Sequence, residues 1–492
     1  MTSAGPDVSL GQMFLTHAAR VPDRPAYRVN VAGALVEVSY SDARRRVESV
    51  AAGLLTIPGG LPAGAAVGIF ANTRVEWLLS DFAALCVGAI TVPVYASLLA
   101  PEVGYIHVDA AIEVCIVEGK AQLDKVRAIR DGFSFLEQRY TKDQIKLRHI
   151  VVMDPAGIEP AADWESFAAL EERGRNQLGA TSALRAERLA TTKRDDVATY
   201  TYTSGTTGAP KGVIQTHGNW LSTLEIAADL GIFTDRTRIS GVFLFLPLAH
   251  AFGRMMGFGG PFFDAVVVLA SVDTLLDDLA RSRPGFVPSS PRMYEKMYAK
   301  IMSGVAGAPK HRQALFNWAL DCGKRTLPYR QRGRRLPPLL AAEHKLADRL
   351  VLSQIRARLG LDRCDVMLTG ASPIARAVHE FFMASGLTLI EAYGMTETTP
   401  GISANVPGKW KLGTVGPLLR HVKLKFDVDG EICVKGPSIT RGYLNRPDAN
   451  ADAFDWDGWL HTGDIGEMDA EGFLRITDRK KDLIKTLSLI HI

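Results

Sequence analysis

The chain has 492 residues, 47% hydrophobic and 22% charged, the balance of a globular protein with material for two or three packed subdomains rather than a disordered one. Its 57 basic and 53 acidic residues leave a net charge of +4 with no long single-sign run, so the composition carries no footprint for nucleic acid. Five cysteines (Cys86, Cys115, Cys322, Cys364, Cys433) are odd in number and far apart, which excludes a CxxC metal site and a disulfide framework.

Met1 to Asp7 has no basic segment followed by an apolar core, so no secretory signal is read there and reduced thiols in a cytoplasmic protein are expected. Ser41 or Asp42 is placed to cap a helix that buries Val47, Val50, Ala51 and Leu54. Apolar runs at 67–71, 90–95 and 114–117 read as strands, alternating with helices at 75–87 and 122–129. That alternation implies an α/β fold with a parallel sheet covered on both faces.

From 155 to 196 the sequence turns polar and Ala-rich with weak periodicity, which reads as a surface connection. The most apolar stretch, 242–270, is interrupted by Pro247, His250, Arg254, Pro261 and Asp264. Those residues are costly in lipid, so the stretch reads as core strands and a pocket rather than a membrane span. Lys324, Arg325, Arg330, Arg332, Arg334 and Arg335 cluster beside Pro337-Pro338, ahead of a helix expected to gather Leu346, Leu350, Ile355 and Leu359 on one face. Such a cluster is read first as a solvated loop and second as a contact for anionic lipid or for the phosphates of CoA. Alternation around Asp429-Gly430 at 422–434 is a hairpin signature, placing a small β-rich subdomain in the last third.

The stretch richest in chemistry is Tyr202-Thr203-Ser204-Gly205-Thr206-Thr207-Gly208-Ala209-Pro210-Lys211-Gly212, after the β-prone 197–201. Its glycines let backbone N–H groups turn towards an anion, its hydroxyls add donors, and Lys211 adds charge, as a triphosphate requires. It is not a Walker A loop, because Lys211 sits between Pro210 and Gly212 instead of between Gly and Ser or Thr.

With segments farther along, this loop resembles the signature of the adenylate-forming (AMP-binding) superfamily of acyl-CoA synthetases, luciferases and peptide-synthetase adenylation domains. The resemblance runs from about Ser9 to Lys485, with the motifs in family order. Pro247-Leu248-Ala249-His250 resembles the acid-pocket motif, Gly370-Ala371-Ser372-Pro373 the adenine-side loop, and Glu391-Ala392-Tyr393-Gly394-Met395-Thr396-Glu397 the nucleotide and magnesium motif. Gly458 to Asp464 ends on the family's ribose ligand, Asp464, and Asp478 to Lys485 resembles its hinge. Taken singly, Asp464 could be a turn residue, Glu397 a helix-start carboxylate, Arg479 a surface charge and His250 a core histidine.

The resemblance implies attack of a carboxylate on the α-phosphorus of ATP, giving acyl-AMP and pyrophosphate, then transfer of the acyl group to CoA. It assigns phosphate to Thr203, Ser204, Gly205, Thr206, Thr207, Gly208 and Lys211, and Mg²⁺ to Glu397 beside Thr396. Nucleotide contacts fall to Gly370, Ala371, Ser372, Glu391, Ala392, Tyr393, Gly394, Asp464 and Arg479, and hinge-region lysines to Lys481 and Lys485. No general base is needed, since a carboxylic acid of pKa ~4 to 5 is already ionised at neutral pH. Runs at 74–77, 291–296 and 348–356 look like the long-chain fatty acyl-CoA synthetase branch. A fatty acyl-AMP ligase feeding a carrier protein is the enzymatic alternative. Fatty acid, ATP and CoA are the implied partners, with peripheral membrane contact through the basic cluster.

The implied architecture is a large adenylating domain, 1–478, of two βαβ subdomains plus a β-rich one at about 400–478, then a hinge at 479–486. The family continues for about a hundred residues as an α+β domain bearing a catalytic lysine. Here Leu487-Ser488-Leu489-Ile490-His491-Ile492 reads as a non-native tail, encodable by a sequence resembling a transposon end, so that domain is expected to be absent. A nucleotide-binding fragment with little turnover is the non-enzymatic alternative.

Overall fold

The computed structural model describes residues 8–203 and 208–480. The chain divides into two compact units. The first comprises Met1–Leu224, Phe245–Asp264 and Ser438–Ala451, and the second Glu225–Leu244, Ala265–Pro437 and Asp452–Ile492.

A seven-stranded sheet organises the first unit, in the order Lys211–Thr216, Val197–Thr203, Ile90–Val94, Ala66–Phe70, Ile112–Val117, His149–Val152, Glu165–Ser166. All neighbours are parallel except the first two, which form an antiparallel hairpin. Ala66–Phe70 is buried at every position, the run expected of a strand covered on both faces. The expected βα rhythm is present, with helices Val75–Cys86 and Lys120–Ile129.

Two expectations change here. The helix Tyr40–Leu55 buries Val47, Val50, Ala51 and Leu54, but its cap is Ser39, whose hydroxyl accepts from Asp42 N at 3.1 Å, because the helix starts two to three residues early. The polar stretch after 155 holds the helices Phe167–Asn176 and Ser182–Thr191. The first packs so closely on Tyr40–Leu55 that a Cβ on Gly174 would lie 1.8 Å from Ser49 O. Packing of two backbones overrides a weak local period there.

One buried ion pair fastens this unit. Arg254, in the helix Ala251–Phe263, donates to both carboxylate oxygens of Asp81, from Nε at 2.9 Å and Nη2 at 2.5 Å, and its side chain is 1% exposed against 0% for Asp81. It also donates to Thr199 Oγ1 at 2.5 Å and to Thr91 Oγ1, while Trp77, Trp220 and Phe258 put ring faces within 5.8, 5.6 and 5.1 Å of its Cζ. The 242–270 stretch is thus strand Val242–Leu244, this helix and strand Val267–Leu269, and no helix among the described residues is long and apolar enough to cross a membrane.

In the second unit, six strands run in the order Ser403–Ala404, Leu389–Tyr393, Val366–Thr369, Phe286–Ser289, Val242–Leu244, Val267–Leu269, parallel except for the first pair. A four-stranded antiparallel sheet of Lys423–Phe426, Glu431–Lys435, Leu460–Met468 and Leu474–Arg479 supplies the expected β-rich element.

The basic cluster lies at the end of the long helix Lys310–Gln331 and in the turn after it, and the expected apolar face beyond is corrected. Leu346 and Leu350 are exposed at 51% and 43%, whereas Ala347 and Leu352 are buried with Ala319 and Cys322. A π-helical turn at Asp348–Leu352 interrupts Pro338–Ala347 and shifts the phase, so the 3.6-residue count fails across it. Of the cysteines, Cys86, Cys115, Cys322 and Cys433 are buried thiols.

Candidate active site

Within the first unit, Thr203 and Lys211 form the closing pair of the phosphate-loop hairpin. Ser204, Gly205, Thr206 and Thr207 lie outside the described residues. A second segment braces the hairpin: Leu444 N donates to Gly212 O at 2.8 Å and Ile214 N donates to Gly442 O at 3.0 Å. This places Tyr443 under Lys211, whose Nζ stands 5.0 Å from the ring centroid. An ammonium held by a ring face keeps its donors available to an anion.

His250 is the N-cap of Ala251–Phe263, and its Nδ1 accepts from Phe252 N at 3.1 Å. Burial lowers its pKa, favouring the neutral ring. With Nδ1 accepting, the proton resides on Nε2, which leaves one N–H donor for an anionic ligand.

In the second unit, Val366–Thr369 and Leu389–Tyr393 pair in parallel with Thr369 opposite Glu391. The loops after both strands therefore leave the sheet side by side at the carboxyl ends, the usual ligand edge of an open α/β sheet. The first loop is Gly370-Ala371-Ser372, with Ala371 in the left-handed region at φ 70°. The second begins at Gly394, where a Cβ would fall 1.6 Å from Pro400 O, so only glycine fits. A short 3₁₀ turn, Thr396–Thr398, then buries Glu397, and Thr398 Oγ1 accepts from Met395 N at 3.0 Å.

Asp464 is the best-defined acceptor. It is buried, takes Tyr393 O–H on Oδ2 at 2.7 Å and Arg479 Nε on Oδ1 at 3.0 Å, and pairs with Arg479 in register. One oxygen lone pair on each side remains for further donors, such as two neighbouring hydroxyls. Burial pushes the Tyr393 hydroxyl well up, with Asp464 adding to it, so it stays a donor. Glu391 turns instead to His379, whose Nδ1 is 3.2 Å away, and Ala392 continues the strand. Lys481 and Lys485 lie outside the described residues.

Sequence reading did not find Glu431. Its carboxylate, buried on the strand Glu431–Lys435, meets Lys480 Nζ at 2.7 Å, His461 Nδ1 at 3.1 Å and Gly463 N at 2.9 Å. The hairpin signal was visible, but no local pattern couples residues that far apart.

A buried carboxylate in an oxygen-rich turn, as at Glu397, fits a magnesium ion that takes one protein carboxylate and fills its other positions with phosphate oxygen and water. The first unit offers a cation for phosphate, and the second a diol acceptor and a carboxylate for a hard metal.

The AMP-binding enzyme family model matches residues 14–444. The long-chain-fatty-acid–CoA ligase FadD15 of Mycobacterium bovis is 32% identical over 492 residues, covering 98% of this chain and 76% of its own length. Long-chain-fatty-acid–CoA ligase 6 of Mus musculus is 33% identical over 484 residues, covering 91% of this chain and 63% of its own. Among solved structures, the inhibitor-bound N-terminal domain of FACL13 from Mycobacterium tuberculosis superposes with a TM-score of 0.66 at 23% identity, over 96% of this chain and all of that one. This last likeness concerns the fold.

Proposed function

The chain belongs to the AMP-binding enzyme family, and from that premise we propose that it activates long-chain fatty acids with ATP, releasing pyrophosphate and forming acyl-AMP for transfer to CoA. The observation that carries this is the buried Asp464 carboxylate held between Tyr393 and Arg479, an acceptor suited to a ribose diol. The long-chain preference draws on the names of the relatives.

In the first step a fatty carboxylate oxygen attacks the α-phosphorus, a P–O bond forms, and the bond to the β-phosphate breaks as pyrophosphate leaves. No proton moves, so the protein's contribution is positioning and charge. His250 Nε2–H orients the carboxylate, and Lys211 with the loop hydroxyls meets the phosphates. Glu397 would hold Mg²⁺, which neutralises phosphate charge when bound. Arg479, paired with Asp464, can donate to ribose or phosphate oxygen. In the second step the CoA sulfur attacks the acyl carbonyl, a C–S bond replaces the C–O bond to AMP, AMP leaves, and the thiol proton passes to solvent.

Peripheral contact with an anionic membrane is part of the proposal. Arg332, Arg334 and Arg335 are exposed a few residues before Leu339, which is 88% exposed, and charge close in sequence to an exposed apolar side chain suits anionic lipid. The enzymatic test is a panel of acids scored by pyrophosphate release. Palmitate is expected to stimulate it, and a preference for benzoates or amino acids sinks the long-chain assignment.

A further inference from the structure

The pair proposed to meet the nucleotide, Asp464 and Arg479, is unevenly supported. Asp464 is buried, but the Arg479 side chain is 66% exposed and bonded to Asp464 through Nε. The next residue, Lys480, is anchored twice, to Asp429 Oδ2 at 2.7 Å and to Glu431 Oε2 at 2.7 Å. Glu431 also accepts Gly463 N, the residue before Asp464, and lies opposite Ile465 in the sheet. One carboxylate therefore grips the backbone on one side of Asp464 and the side chain following Arg479.

We propose that Glu431 and Lys480 are positioning residues for ATP: their ion pair fixes the Asp464–Arg479 pair in the geometry that receives the nucleotide. The inference rests on the nucleotide reading above and names two residues that it does not use. Asp427, Glu431 and His461 also lie close enough to share a metal ion, but the Lys480 ammonium already supplies the cation at Glu431. Burial pushes the Glu431 carboxyl up, yet Lys480, His461 and the Gly463 N–H together hold it below the usual range, so the anion is the form present at neutral pH.

Positioning acts on binding of the nucleotide and leaves the acid alone. In the 492-residue chain, calorimetric titration with Mg-ATP and, separately, with palmitate distinguishes the two. Glu431→Gln and Lys480→Met are each expected to weaken ATP binding on the order of 3- to 10-fold, a charge-assisted bond discounted for the partial exposure of Lys480. The double variant is expected to be about as weak as the worse single variant, since the Glu431–Lys480 pair is already lost in each. Palmitate affinity is expected to stay within about twofold, and Glu431→Asp to recover part of the ATP affinity.

Unchanged ATP affinity in both single variants overturns the proposal. So do additive losses, or parallel losses for ATP and palmitate accompanied by a lower melting temperature, which mark a general structural role. Lys480→Met removes a 40% exposed side chain and so reports even where Glu431→Gln fails to fold. If the unmodified chain binds no ATP, the nucleotide reading itself fails and takes this one with it, an outcome distinct from normal wild-type binding with indifferent variants.

Discussion

Replacing Asp81 with Asn keeps the shape of the side chain but leaves the Arg254 guanidinium in a site that is 1% exposed with no counter-charge. The amide oxygen can take one of the two bonds made to Asp81, at 2.9 and 2.5 Å, while the NH₂ group faces a donor. Breaking a buried pair from one side costs about 3–5 kcal/mol, because the remaining charge stays desolvated. The hydroxyls of Thr91 and Thr199 relieve little of this, because they are neutral acceptors that already take bonds from Arg254. Removing both charges, Asp81→Leu with Arg254→Met, is expected to cost less than the single change, since neither ion is left unpaired. Urea unfolding followed through Trp77 and Trp220, whose rings flank the guanidinium, reads the loss as a lowered midpoint. A single variant within about 1 kcal/mol of wild type, or a double variant worse than the single, refutes the reasoning.

Asp464→Asn is expected to weaken ATP binding by roughly 10- to 100-fold, the worth of a charged hydrogen-bond acceptor, with palmitate binding unaffected in titration calorimetry. His250→Ala is expected to raise the KM for fatty acid by about tenfold and leave that for ATP unchanged, read from pyrophosphate release. Burial lowers His107 and His217 to about 4, so an unfolded chain binds protons near pH 6.5 that the folded one refuses. Both therefore contribute stability above that pH that is lost as pH falls towards about 4, and wild type is expected to melt lower at pH 5 than at pH 7.5, by less in His217→Asn. Neutralising Arg332, Arg334 and Arg335 is expected to lower sedimentation with phosphatidylserine vesicles, by about 1 kcal/mol per charge, and to leave binding to neutral vesicles unchanged.

Where a single strand or loop carries its own signal, the sequence was readable. The strand leading into the phosphate loop, the alternating strands and helices, and the Asp429-Gly430 turn all follow from local composition and period. Among the described residues, Thr203 and Tyr393 end strands and His250 caps a helix. What could not be read depends on distant partners. Asp81 and Arg254 meet across 173 positions and Glu431 and Lys480 across 49. Gly174 matters only because another helix backbone touches it. The exposed Leu346 reflects a π-helical turn, a change of phase that no fixed period anticipates.

The most direct test of fatty acid adenylation is the affinity of stable acyl-adenylate mimics, adenosine sulfamates bearing a C16 acyl, a benzoyl or an aminoacyl group, which needs no turnover. The C16 mimic is expected to bind at least ~100-fold tighter than the C16 acid or AMP alone, as an intermediate mimic that fills both sites, and tighter than the other two mimics. Preference for the benzoyl or aminoacyl mimic, or no gain over AMP, would contradict the account.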